Sequence, residues 1–271
     1  MEPELQRRVQ RYGWDKAAAY YENFWAEQLR PAQDLLLDMA AIRPGERVLE
    51  LACGTGLVTF RIAEQLQGTG QLTATDISQK MVDAVRSRAE RDGIAVDTHR
   101  MDAEALGFPD GSFDVALCAL GLMYCPDPPT AMREMHRVLA PGGRAAAAVW
   151  GARRNCGWAE IFPIVERRVA SDVCPLFFQL GNGDALADTF RSAGFEDVRC
   201  ERLEVGLRYA TADEAIGAAF AGGPVALAYS RFDEPTRDGA HDEYLASIAP
   251  YRRGDGYEIP GEYVVAVAAR S

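Results

Sequence analysis

From Glu46 to Trp150 the chain alternates between short apolar runs and longer stretches whose apolar positions recur every three or four residues. The runs read as strands and the longer repeats as helices. Arg47–Leu51 is the first strand. Leu57–Gln67 follows as a helix with Val58, Ile62, Ala63 and Leu66 on one face, stopped by Gly68. Leu72–Thr75 is a second strand. Ser78 is placed to cap the next helix, where Met81, Val82, Val85 and Ala89 repeat at helical spacing until Gly93. Ile94–His99 alternates like a strand, and Phe113–Leu120 is the continuous apolar run of a strand buried on both faces. Pro129–Leu139 then reads as a helix with Met132, Met135 and Leu139 inward. Pro141-Gly142-Gly143 turns the chain into a fifth strand, Arg144–Trp150. Strands alternating with helices predict an α/β, doubly wound sheet.

The flanks depart from this rhythm. Residues 1–45 form an amphipathic helical leader dense in aromatics, namely Trp14, Tyr20, Tyr21, Phe24 and Trp25. After Trp150, residues 152–180 look like an insertion with a helical stretch, Trp158–Ala170. Asp184–Ala193 resumes the core as a helix stopped at Gly194, and Val198–Tyr209 is a sixth strand. A second insertion, at about 211–260, carries helical patterns at Ala212–Ala221 and His241–Ile248 around a Gly222-Gly223-Pro224 break. Tyr263–Ala269 supplies the last strand. Two insertions at one end of a sheet make a cap over the strand ends, so residues 46–271 are expected to form one capped domain.

At 271 residues and 48% hydrophobic, the chain can bury one large core with an appendage. Its formal charge of −11 argues against a nucleic-acid substrate, since a polyanion is repelled without a concentrated basic face. Arg7, Arg8, Arg11, Arg252 and Arg253 are too few for a phosphate track and read as solvated surface. No apolar run reaches the ~20 residues that span a bilayer, and no secretory n- and h-region opens the chain, so a cytoplasmic protein without a membrane partner is expected. Cysteines at 53, 118, 125, 156, 174 and 200 form no C-x-x-C pair and read as reduced and mostly buried. With histidine only at 99, 136 and 241, no metal site is expected.

The chemistry concentrates in Val48-Leu49-Glu50-Leu51-Ala52-Cys53-Gly54-Thr55-Gly56 and in Asp76 at the end of the next strand. A strand entering a glycine turn, then a helix, then a strand ending in an acid is how a nucleotide-like cofactor is held across a sheet edge. Gly54 and Gly56 let the backbone approach a ligand closely, and Asp76 can accept hydrogen bonds from a ribose diol. A dinucleotide fingerprint would place a third glycine where Thr59 stands. Glu50, just before the turn, would repel a pyrophosphate and suits a cationic or amino-bearing ligand.

With Asp102 in Met101-Asp102-Ala103-Glu104, Phe113-Asp114-Val115 and Arg137-Val138-Leu139-Ala140-Pro141-Gly142-Gly143, these residues resemble class I S-adenosylmethionine (SAM) methyltransferases. The similarity is greatest to the small-molecule group typified by ubiquinone/menaquinone-biosynthesis methyltransferases, and runs from about Val48 to Trp150. Ala52 stands where many members have glycine, and its small side chain is read as tolerated.

The resemblance implies a Rossmann-like sheet, mostly parallel with an antiparallel last strand, and SAM as cofactor. It implies that Asp102 and Ala103 meet the adenine edge, that Ile77 and Met81 flank the adenine or ribose, and that the Ala119 carbonyl meets the methionine part. Glu50 would order the turn and the amino-acid end. A leader tyrosine would close over the cofactor; Tyr21 fits best, with Tyr20 its rival.

Tyr124 and Trp150, just past strand ends four and five, are placed to wall a substrate pocket. His241 is the candidate base by intrinsic pKa, and His136 reads as structural. The resulting expectation is methyl transfer to oxygen or carbon of a small organic molecule, with no obligatory catalytic residue. Two readings stay open beside it: a SAM-binding protein with a non-methylating or regulatory role, and a nicotinamide oxidoreductase, disfavoured by Thr59 and Glu50. The motifs specify neither the acceptor nor the oligomeric state.

Overall fold

The computed structural model of the chain describes residues 2–169 and 176–271. Two helices come first, Pro3–Ala17 (α1) and Tyr21–Ala40 (α2). The alternating core follows as Arg47–Leu51 (β1), Thr59–Leu66 (α3), Gln71–Asp76 (β2), Gln79–Asp92 (α4), Asp97–Arg100 (β3), Phe113–Ala119 (β4), Pro128–Val138 (α5) and Leu139–Trp150 (β5). Beyond it lie Ile161–Glu166 (α6), Ala185–Ser192 (α7), Glu196–Tyr209 (β6) and Ala212–Ile216 (α8), which runs into a π-helical turn at Gly217–Ala221. Ala226–Tyr229 (α9), Glu234–Ile248 (α10), Arg252–Arg253 (β7) and Gly256–Ala269 (β8) complete the described chain.

The strands join one sheet in the order β3-β2-β1-β4-β5-β8-β6, with β7 paired to β8. β1 to β5 are parallel, whereas β8 runs antiparallel to both β5 and β6. The mixed sheet flanked by helices is the expected Rossmann-like class. Buried runs such as Ala145–Val149 and Val115–Cys118 place the core on both faces of the central strands. α2 packs across β5 and β8 through Leu29, Ala32, Leu36 and Leu37, all nearly or fully buried.

Several boundaries differ from the sequence reading, each for a local reason. α10 begins at Glu234 because Asp233 caps it, accepting from Thr236 N at 3.1 Å, with Pro235 in the first turn. β8 begins at Gly256 because it pairs with β6 as far as Tyr209 opposite Tyr257, so Gly256–Pro260 belong to a strand and not to the second inserted segment. The helical stretch read over Trp158–Ala170 is helical at Ile161–Glu166; Ala170 and Cys174 lie outside the described residues. Among those residues no helix is long and apolar enough to cross a membrane.

What positions the site is the turn after β1. Gly54 (φ +55°) and Gly56 (φ +94°) hold left-handed backbone, and a Cβ on Gly56 would sit 2.6 Å from the Phe60 ring. Ala52 shares that conformation at φ +52°, which costs a non-glycine residue about 1–2 kcal/mol. Its methyl occupies space that Gly121 leaves free, since a Cβ on Gly121 would collide with it. Beneath the turn, the Glu50 carboxylate is 1% exposed and accepts from Thr59 Oγ1 at 2.5 Å, tying the end of β1 to the start of α3.

Burial pushes the Glu50 carboxyl up to about 8, against the pull of Thr59 and with a further push from Asp76. Below about pH 4.5 folded and unfolded chains both hold this proton. Between there and about 8 only the folded chain keeps it, so stability falls as pH rises through that window. Glu50→Gln removes this penalty while keeping an acceptor for Thr59, though its amide N–H groups gain no evident partner. The stability of the variant relative to wild type should therefore rise by on the order of 2 kcal/mol between pH 5 and pH 8, measured by urea denaturation. A pH-independent difference would mean that Glu50 is not the buried acid described.

Candidate active site

Because β1 lies between β2 and β4, the chain leaves the ends of β1 and β4 toward opposite sides of the sheet, and a crevice opens at the carboxyl edge between them. The cleft there encloses about 970 Å³, mouth included, and its lining follows the strand order. At one end are Asp76 and Ile77 after β2, with Met101, Asp102 and Ala103 after β3. The middle is Ala52 and Gly54 after β1, facing Ala119, Leu120 and Gly121 around the end of β4. Tyr124 and Trp150 stand at the far end.

Asp76 organises the first end. Its Oδ2 accepts from Gly54 N at 2.9 Å and its Oδ1 from Ser78 N at 2.8 Å. Burial raises its pKa to about 6 despite these donors, which favour the charged form. A carboxylate has about four acceptor positions, so these backbone donors, with Ile77 N–H beside them, leave capacity for a ligand hydroxyl. Ser78 caps α4, accepting from Met81 N at 3.2 Å and donating to Asp15 Oδ1 at 2.6 Å. Met81, buried on the first turn of α4, lines the cleft.

The leader supplies the cover. Arg7 on α1 pairs with Asp102 (Nε to Oδ2, 2.8 Å) and with Glu104, whose side chain is 3% exposed and also accepts from Asp127 N at 2.7 Å. Arg7 was read as solvated surface; it instead bridges α1 to the loop after β3 and lines the cleft. Trp14 stands edge-on to both Tyr21 and Tyr124, at 5.7 and 5.0 Å between ring centres. Tyr21 lines the cleft beside Gly54, and burial together with Asp76 raises its phenol pKa. Tyr20 is half-exposed outside the lining.

Three residues read as site candidates lie elsewhere. Glu50 is under the turn and Gly56 faces Phe60 and Val85, so neither lines the cleft. His241 is also outside it. On α10 its imidazole lies against Tyr229 (Nε2 to hydroxyl, 3.0 Å) and Phe220, and burial lowers its pKa. His136 packs on Phe195 behind the sheet.

The aromatic end is larger than the sequence suggested. Trp25 of α2, Trp158 before α6 and Phe177 join Trp150 there, and Gly222, Gly223 and Pro224 close the wall. Trp25 was visible only as one of five leader aromatics, and nothing in the pattern around Trp158 or Phe177 marks them as lining. Leu120 was missed because its left-handed backbone, φ +61°, sits at a non-glycine residue. Among the described residues no cluster of side chains suits a metal ion.

The residues present fit an adenosine-bearing cationic cofactor. A buried strand-end acid with free acceptor capacity lies beside a turn whose Gly54 has no Cβ to block close approach. Glu50 below the turn keeps its proton up to about pH 8, so the charge that favours a cationic cofactor and opposes a pyrophosphate comes from Asp76.

Comparison with known proteins agrees with this geometry. Residues 48–143 match the family model described as a methyltransferase domain. A 2-phytyl-1,4-naphthoquinone methyltransferase of Synechococcus elongatus is 37% identical over 140 residues, covering 49% of this chain and 60% of that protein, so the match spans less than two thirds of the relative. A ubiquinone/menaquinone biosynthesis C-methyltransferase of Ruegeria is 31% identical over 195 residues, 65% of this chain and 76% of the relative. The crystal structure of a putative methyltransferase from Bacillus halodurans superposes with a TM-score of 0.62 at 19% identity, covering 89% of this chain and 99% of that one, which shows a shared fold. The chain therefore belongs to the class I S-adenosylmethionine-dependent methyltransferases and is similar, within them, to the quinone methyltransferase group.

Proposed function

We propose that the protein transfers a methyl group from SAM to oxygen or carbon of a small, flat, largely apolar organic molecule. One observation carries the reading: the cleft that holds the buried acid Asp76 at the end of β2 continues, three strands along the sheet, to an aromatic wall at the end of β5. A site of this shape accommodates a charged donor at one end and an apolar acceptor at the other. The net charge of −11 favours a small-molecule acceptor over a nucleic acid. A cytoplasmic setting belongs to the same reading, supported by the free buried thiols of Cys53, Cys118 and Cys156.

The bound cofactor supplies a methyl already activated on a sulfonium. Asp76 accepts hydrogen bonds from the ribose diol, and Asp102 with Ala103 meets the adenine edge, flanked by Ile77 and Met81. Ala52, Gly54 and Ala119 bring backbone close to the methionine part, and Tyr21 closes over it. Tyr124 and Trp150 hold the acceptor's flat body in line with the methyl. With the nucleophile aligned and water excluded, orientation supplies most of the rate. In this reading residues 1–45 are a closing leader and residues 46–271 the catalytic domain, capped by the described residues of about 152–180 and by about 211–255.

Three outcomes test it. Incubation with cell extract and methyl-labelled SAM should move label into a small organic product; a protein that binds SAM but labels nothing would move weight to a non-methylating role. Asp76→Ala should weaken SAM binding by about 1.5–3 kcal/mol in calorimetry, the scale of hydrogen bonds to a charged group. Unchanged affinity would mean that the ribose lies elsewhere. Arg7→Met leaves the buried Glu104 without its cation, so amide hydrogen exchange in α1 should quicken by about tenfold or more, a loss of about 1.4 kcal/mol, while α2 stays protected. Equal acceleration in both helices would show global destabilisation and not release of the leader.

A further inference from the structure

Two buried donors at the aromatic end lack a partner. Trp25 is 5% and Trp158 3% exposed, both line the cleft, and neither indole N–H makes a hydrogen bond among the described residues. A buried donor left unpaired is costly, and native proteins leave few of them without a reason. Here the two occur together. Trp25 comes from α2 and Trp158 from the segment after β5, with ring centres 6.0 Å apart, and both pack edgewise on Trp150 at 5.9 and 4.8 Å. The wall beside Trp25 is built of glycine: a Cβ on Gly222 or Gly223 would come within 3.4 or 3.9 Å of its Nε1. Both glycines also line the cleft, so this part of the wall presents no side chain of its own near the N–H.

We propose that Trp25 and Trp158 are specificity-determining residues that donate hydrogen bonds to an oxygen of the methyl acceptor. The acceptor is then a flat apolar body bearing a hydrogen-bond-accepting oxygen. This deepens the methyl-transfer reading and rests on it. Three tryptophans could also form a cage for a quaternary ammonium, whose charge favours ring faces. Unpaired N–H groups in this wall argue against that occupant, because a donor has nothing to offer a cation. The charged groups of the lining, Arg7, Asp76 and Asp102, gather at the opposite end, so the preference at the aromatic end is set by these two donors and by ring surface.

Three molecules of one shape separate the cases: 1-tetralone, which carries a carbonyl oxygen; tetralin, which carries none; and 1-aminotetralin, which carries an ammonium. Each is titrated into the full chain saturated with S-adenosylhomocysteine, with calorimetry for affinity and 15N-labelled indole resonances for the N–H groups. 1-Tetralone should bind about tenfold tighter than tetralin, the size of one or two neutral hydrogen bonds. It should also shift two of the four indole N–H signals downfield. Trp25→Phe and Trp158→Phe should each remove one of those signals and lower the ratio of 1-tetralone to tetralin affinity. Thermal melts with S-adenosylhomocysteine check that the variants fold, and the wild-type indole shifts stand without them.

Equal binding of tetralone and tetralin overturns the proposal, as does tightest binding by 1-aminotetralin or binding by none of the three. If S-adenosylhomocysteine itself does not bind, the methyl-transfer reading falls, and this inference with it. If it binds and the carbonyl preference is absent, only the inference falls.

Discussion

The carboxyl edge of the sheet depends on one buried carboxylate. Asp76 ends β2, yet its two oxygens reach outward to the backbone of Gly54, in the turn after β1, and of Ser78, at the start of α4. One side chain thereby fixes the spacing of two loops and of a helix N-terminus. The chain of contacts continues, since Ser78 caps α4 and also binds Asp15 of α1, so the leader is registered against the same point. The cost is a charge held out of water, visible in the rise of the Asp76 pKa to about 6. Such a cost is offset in part by the backbone N–H groups of Gly54 and Ser78 and by the N-terminal dipole of α4, and a ligand diol would add to them.

A second constraint runs along the sheet. The end of β2 and the loop after β3 carry acids, Ala52 and Gly54 after β1 and Leu120 after β4 hold left-handed backbone, and the end of β5 and the region beyond it carry indoles. Ala52 and Leu120 are both non-glycine residues with positive φ, on adjacent strands and lining the same cleft. Strain of that kind persists only where surrounding structure fixes it, and it clusters where backbone must approach a ligand. Gly121 fits this picture as the partner of Ala52: the methyl that the turn carries after β1 is accommodated by the missing side chain after β4.

The donor half of this arrangement was legible in the sequence because its signals are local. Glycine at 54 and an acid at 76 report backbone conformation and strand ends, and each lies within one strand–helix–strand unit. The parallel core was legible for the same reason, since β1 to β5 alternate with helices of clear period. What escaped was set by distance. Arg7 meets Asp102 and Glu104 across nearly a hundred residues, so its charge looked merely solvated. Trp25, Trp158 and Phe177 converge only because α2 crosses β5 and the segment after β5 folds back on it, and no spacing in the chain encodes that convergence. His241 departs in the opposite way: its candidacy rests on chemistry alone, whereas the packing of α10 sets its ring against Tyr229 and Phe220.

The two leader helices are attached by different physics, and this divides the site into a fixed part and a looser one. α2 buries Trp25, Leu29, Leu36 and Leu37, its Gln28 carbonyl accepts from Tyr263 at 2.9 Å, and the Gln28 side chain bonds the backbone of Arg208. α1 packs on α9 and α4 but buries only Gln6, Gln10, Gly13 and Ala17 and leaves Leu5 and Tyr12 exposed, with Arg7, Asp15 and a bond from Gln6 to the Tyr124 carbonyl adding polar anchors. Apolar burial stabilises at roughly 25 cal/mol per Å², whereas a partly exposed ion pair contributes about 0–1 kcal/mol and somewhat more where one partner is buried, as Glu104 is. α1 is therefore the element with the lower local opening energy. Its opening uncovers the acid end of the cleft, where Arg7 sits, and leaves Trp25, Trp150 and Trp158 in place. In the methyl-transfer reading proposed above, a site built in this way would exchange its donor while the aromatic wall stays assembled.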